Sequence, residues 1–191
     1  MFMKNVAVKI TDRLERQGIF EPTDREIYLF GTQLGLNLLL HLMTMTLVGL
    51  MIGSFWHIVI FLLAYMPLRS FSGGYHAKTQ LKCYIISTIM IAFVGLASRF
   101  ITFNSILLGV LLLMFGIVIM LISPIGNKNK SLDDLEIKVY GRKARFICIV
   151  ELSVAIITLL IGMQFITTGI FWAFSMVLLL LVLEKLFGSK I

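Results

Sequence analysis

Apolar residues run along this chain in long blocks broken by short polar passages, at 29–52, 55–68, 83–98, 104–123, 146–162 and 166–183. A helix crossing a bilayer needs about 20 such residues, with about 17 as the lower end. The pattern predicts an all-α fold, a polytopic integral membrane protein with about six transmembrane helices; four is the alternative count. The second block is short, so it is expected to be tilted, re-entrant or set in a thinner region of bilayer. Ahead of the blocks, Phe2, Val6, Ile10 and Leu14 recur every turn while Lys9, Arg13 and Arg16 point elsewhere. That spacing predicts an amphipathic interfacial helix within an arm over 1–22, lying on the membrane surface. After Pro22, Thr23-x-x-Glu26 has capping-box spacing, and the first spanning helix is expected to begin there.

Composition changes the picture little: 59% of residues are hydrophobic and 14% charged, with a mean hydropathy of +0.97. An ordinary soluble domain devotes about a quarter of its residues to charge. With 191 residues, nearly all are needed for repeated crossing, so 1–191 reads as a single membrane-embedded domain. Residues 1–28 mix basic with acidic side chains, and no cleavable signal is expected there.

Charge supplies the orientation. The net charge of +7 would suit nucleic acid, but it lies between apolar blocks, where it orients a membrane protein, and no nucleic-acid partner is expected. With the N-terminus inside, the connections near 53, 99–103 and 163–167 fall outside. Of the 17 basic residues, only Arg99 lies there. This positive-inside pattern predicts six spans with both termini in the cytoplasm, and it places 69–82 and 124–145 there as loops.

The passage from Pro67 to Cys83, between the second and third blocks, holds the candidate chemistry: a potential base, His76, and a potential nucleophile, Cys83. On one straight helix these two would share a face but stand ~10 Å apart along its axis. A working Cys/His pair needs contact at ~3 Å, so the chain has to bend between them. Gly73-Gly74 permits the bend. If Thr79 caps the next helix, Cys83 falls near its N-terminus, where unpaired N–H groups together with Lys78 and Lys82 favour a thiolate. Backbone donors around the glycines would suit an oxyanion. A plainer reading fits the same residues: a cysteine at the start of a span that packs, and a solvated loop histidine. Two ligands are too few for a zinc site, so no metal or other cofactor is expected. A disulfide with Cys148 is not expected on the reducing cytoplasmic side.

Arg69, Gly73-Gly74-Tyr75-His76-Ala77 and Cys83 together resemble the signature of the accessory gene regulator protein B (AgrB) family. The similarity extends from the charged amphipathic start to Ser123–Lys130, which resembles the family's later cytoplasmic loop. The resemblance implies a multi-pass membrane cysteine endopeptidase of a Gram-positive bacterium. It would process a small AgrD-like propeptide for quorum sensing, with His76 and Cys83 as the catalytic pair, and act as a homodimer. Cys83 would cut the C-terminal tail through a thioester, and the peptide would close into a thiolactone or lactone.

Other residues carry paired readings. Arg69 either clamps a substrate carboxylate, or ties the loop to backbone carbonyls, or marks the membrane boundary. Lys128 and Lys130, with Lys138, Arg142, Lys143 and Arg145, either attract an acidic substrate tail or orient the protein. Gln33, Asn37 and His41 form a polar stripe that must face protein, water or substrate. Gly31-x-x-x-Gly35 on the same helix suits close packing within the chain or across a homodimer. Glu151, inside the fifth block, either pairs with a basic neighbour or orients His76 as a third catalytic group. The competing functions are a small peptide exporter or permease without proteolysis, and an anchoring partner of a sensor protein.

Overall fold

A computed structural model describes residues 2–74, 79–126 and 133–187. Residues 75–78 and 127–132, with the predicted roles of His76, Lys128 and Lys130, lie outside the described residues. Among those described are seven α-helices: α1 Phe2–Arg16, α2 Arg25–Ile52, α3 Phe55–Ser72, α4 Gln80–Phe100, α5 Ser105–Ile122, α6 Asp134–Leu160 and α7 Gln164–Phe187. The chain forms two compact units, Met1–Leu47 and Val48–Ile191.

In the first unit α1 folds back on α2. Arg25 bridges both acids of the last turns of α1, with Nη2 at 2.7 Å from Asp12 Oδ1 and Nε at 3.2 Å from Glu15 Oε2. The fully buried Thr11 hydroxyl reaches Thr32 Oγ1 at 3.5 Å, and Phe20 stacks on Tyr28 at 4.1 Å between centroids. The expected Thr23/Glu26 box does not form. Pro22–Asp24 instead make a 3-10 turn and α2 starts at Arg25, because proline at the head of the segment favours this tight turn first. A box of that kind closes at another helix start, α6, where Asp133 N–H donates to Glu136 Oε2 at 3.2 Å.

The second unit is a bundle around α7, which packs on α3, α4, α5 and α6. Its buried face runs through Ala173, Phe174, Val177, Leu181 and Glu184. Close approach to α3 depends on Gly169, where an added Cβ would stand 2.6 Å from Ile60 Cγ2. Against α6 the contact is polar, with Thr158 and Thr167 hydroxyls 2.8 Å apart and buried. Phe171 and Trp172 gather Phe93, Phe103 and Phe115 around them.

Five segments among the described residues are long and apolar enough to cross a membrane: Pro22–Ile52, Phe55–Ser72, Leu81–Phe100, Ser105–Ile122 and Gln164–Leu186. The sixth predicted span is α6. It is 27 residues long, but its charged part runs as far as Arg145 and Glu151 interrupts the apolar part that opens at Phe146. The short second block is one continuous helix. Its start lies by Gly49, in the last turns of α2, where an added Cβ would stand 3.1 Å from Phe55 Cα. Its far end, Ser72, accepts a hydrogen bond at 3.0 Å from Ile125, beyond the end of α5. With 18 residues it spans about 27 Å, close to a hydrocarbon thickness.

Candidate active site

The glycine-marked passage is where one helix stops and another starts. Helix α3 runs through Pro67 and ends at Ser72, so Arg69 sits in its last turn and not in a loop. Gly73 and Gly74 follow with φ of 76° and 106°, a region that side-chain-bearing residues avoid. Here the glycines are needed for space as well as for conformation. A Cβ on Gly73 would run into the Ile125 carbonyl, and one on Gly74 would stand 3.2 Å from the Leu180 oxygen and 3.3 Å from Arg69 Nη1. Gly73 pairs with Ile125 as a parallel β-bridge. The break is therefore walled by the segment after α5 and by α7.

Arg69 holds the turn together. Its Nη1 donates to the Gly73 carbonyl, and its guanidinium also engages the Tyr65 hydroxyl one turn back on α3. A fork of several fixed donors serves both acceptors at once. The Cys83 sulfur lies near enough to act electrostatically on that same hydroxyl. Thr79 caps α4 as its sequence position predicts, accepting from Lys82 N–H at 3.3 Å. Cys83 N–H donates to Thr79 O at 3.0 Å, which puts the cysteine in the first turn of α4. Its side chain is exposed and free. Cys148, the other free cysteine, is fully buried and donates to the Gly116 carbonyl at 3.6 Å.

The arrangement thus joins Arg69, Gly73, Gly74 and Cys83 at one end of the bundle. Glu151 is not at that level. Gly141 marks the site end of α6, since a Cβ added there would stand 3.1 Å from Pro124 Cδ, and Glu151 lies about 15 Å farther along the helix. Its Oε2 is buried with no hydrogen-bond partner among the described residues. The stripe of Gln33, Asn37 and His41 belongs to α2, and all three are half-buried. Within their own unit Gly31 and Gly35 have nothing within 4 Å of an added Cβ, so no packing there calls for them.

Four residues escaped sequence reasoning. Tyr65 carried one readable signal, its one-turn spacing from Arg69. Ser72 and Ser123 have buried hydroxyls with no partner among the described residues, beside the pairing of Ser72 and Gly73 with Ile125. Glu184, one turn beyond the Leu180 oxygen that faces Gly74, is only 7% exposed. Near the end of an apolar block it reads as a surface acid, and only the packing of α7 reveals otherwise.

A polytopic helical membrane protein, with an exposed cysteine capped onto a helix start behind a double-glycine break, is the class that fold and site define. Within that class the chain belongs to the Accessory gene regulator B family, whose profile matches residues 7–183. Two relatives come from Clostridium perfringens: one in strain SM101, named "Putative AgrB-like protein", and one in strain 13, named "Putative AgrB-like protein 2". Each is 25% identical over 135 residues, covering 67% of this chain and 63% of the relative, under two thirds of its length. No solved structure matches the chain.

Proposed function

We propose that this protein is a membrane cysteine endopeptidase that trims and cyclises a small AgrD-like propeptide. The observation that carries the reading is the break between Arg69 and Cys83. It ends one helix on two glycines and restarts the chain so that a free thiol sits exposed in a capped first turn beside the Tyr65–Arg69 pair. Family membership supports the same reading, with His76 as the base.

In the proposed reaction the Cys83 sulfur attacks the carbonyl at the end of the signal segment, and His76 accepts the thiol proton. The carbon–nitrogen bond to the tail then breaks, and His76 returns the proton to the departing amine. The peptide remains as a thioester on Cys83. A cysteine or serine within the same peptide attacks that thioester, closing a ring and releasing Cys83 as the thiol. Cations of the second loop, Lys128 and Lys130 among them, would attract an acidic tail. The site would face the cytoplasm of a Gram-positive cell by the positive-inside rule. The Gly31/Gly35 face of α2 would be the contact of a homodimer.

Purified protein in liposomes, incubated with a propeptide encoded beside its gene, should release the tail and carry an acyl adduct on Cys83 by mass spectrometry. Cys83→Ala should give neither, and Cys148→Ala should give both. Normal processing by Cys83→Ala would refute the mechanism. An exporter would produce no cut tail with any variant.

A further inference from the structure

A cavity of about 350 Å³ lies on the flank of the bundle, lined by Phe71, Arg142, Lys143, Phe146 and Ile147. Its wall is apolar, so Arg142 and Lys143 contribute their aliphatic stems to it while their charged heads, both on exposed residues, stand outside. Arg142 precedes Phe146 by one helical turn, and Lys143 precedes Ile147 by the same step, so each charged head has an apolar side chain below it on one face of α6. The boundary between them is also the boundary in composition: Lys143 and Arg145 end the charged part of α6, and Phe146 opens its apolar part. Phe71, from the last turn of α3, forms the facing wall. Lys143 Nζ stands 5.1 Å from its ring centroid, and Tyr140 meets the same ring edge-on at 6.0 Å.

Among the described residues no carboxylate forms an ion pair with these charges. The ion pairs among the described residues join Arg25 to Asp12 and Glu15, and no acidic residue occurs between Ile137 and Val150. Phe146 is 68% exposed, which is costly in water and favourable against hydrocarbon. A ligand that suits this site carries a negative charge at the membrane surface and an apolar chain directly beneath it.

We propose that this pocket binds one anionic phospholipid, with the phosphate on Arg142 and Lys143 and the start of an acyl chain against Phe71, Phe146 and Ile147. Basic pockets between spanning helices recognise such headgroups through the same combination of charge and apolar wall. A soluble acidic peptide fits less well, since the wall of the cavity is apolar and Phe146 beside it is exposed. The lipid joins α6 to the last turn of α3, two residues before Gly73. Occupancy therefore braces the helix that carries Arg69, and binding to the folded state alone raises stability by mass action. The inference does not depend on proteolysis.

The test uses the full chain in mixed micelles of phosphatidylcholine and phosphatidylglycerol, with retained lipid read by native mass spectrometry. The wild type should keep one phosphatidylglycerol in preference to phosphatidylcholine. R142Q/K143Q should lose that preference by roughly tenfold or more, while R142K/K143R keeps most of it. F146S, with both charges intact, should also weaken retention. K9Q/K138Q removes the same charge outside the pocket and should change nothing. Equal retention of the two lipids by the wild type would overturn the proposal. So would an undiminished preference in R142Q/K143Q, an equal loss in K9Q/K138Q, or displacement of the lipid by inorganic phosphate alone. If R142Q/K143Q weakens binding of an acidic propeptide but leaves lipid preference intact, the pocket is a peptide subsite and the lipid assignment fails.

Discussion

Gly73 and Gly18 allow the value of an absent side chain to be measured. Both have positive φ, 76° and 69°, so alanine is strained at either, and more so at Gly73, whose ψ of −152° places it in a region essentially confined to glycine. Only Gly73 also has a neighbour in the way, the Ile125 carbonyl, whereas nothing lies within 4 Å of a Cβ on Gly18. Gly73→Ala should therefore lower the apparent Tm well beyond Gly18→Ala, by the equivalent of about 1–3 kcal/mol in total or more. It should also reduce processing, and equal melting curves would show that the close approach is not maintained. The two cysteines differ in the same plain way. A maleimide added to folded protein in detergent should modify Cys83, which is exposed, and spare Cys148, which is buried. Modification of both should appear only after denaturation, and early labelling of Cys148 would contradict its burial.

At the scale of elements, the prediction concerns the α3–α7 contact. Gly169→Ala places a Cβ 2.6 Å from Ile60 Cγ2 and 3.0 Å from Ile60 Cβ, an overpacking expected to cost about 1–3 kcal/mol. Ile60→Ala on the same chain should restore much of the loss, because the obstructing atoms belong largely to that side chain. A double-mutant cycle on apparent Tm checks this, and purely additive losses would show that the two helices are not in register as described. Elements such as these were largely legible beforehand. Each predicted apolar block became a helix with ends displaced by a few residues, except that α6 starts at Asp134 and makes helix of the later half of the predicted 124–145 loop; hydrophobic run length reports helix existence better than helix ends. Pro67 was harder to read. It marks the approach to a predicted loop at 69, yet α3 continues through it to Ser72, because buried packing of Leu68 and Ser72 outweighs one missing hydrogen bond. At the site, Thr79 and the glycines could be read locally. The pairing of Ser72 and Gly73 with Ile125 joins residues far apart in sequence, and no local pattern encodes it.

For the whole molecule the orientation is the quantity to test. Single cysteines at 53 or 163, in a protein with Cys83→Ser and Cys148→Ser, should react with a membrane-impermeant maleimide on intact cells. Cysteines at 82 or 126, both exposed positions, should react only after the cells are opened. The opposite pattern would invert the topology, and labelling of 53 and 163 on different sides would remove a span. Arg99, the lone cation on the expected outer side, already has a structural task. Its Nη1 donates to the Ile52 carbonyl at the end of α2, and a cation there also meets the negative end of the helix dipole. Arg99→Ala should accordingly lower apparent Tm by about 1 kcal/mol equivalent without reversing the orientation.

The central position of α7 has a consequence for biosynthesis. Of its spanning window 56% is buried, against at most 28% for the other spans, and it follows α3 to α6 in the chain. A ribosome must therefore thread those four helices into the membrane before the element that clasps them emerges. Until then the Gly74 turn lacks the Leu180 wall and Thr158 lacks its Thr167 partner. A nascent chain stalled before Gln164 would carry its thiol beside a turn that still lacks its α7 wall, so the order of translation sets when that end of the bundle is complete.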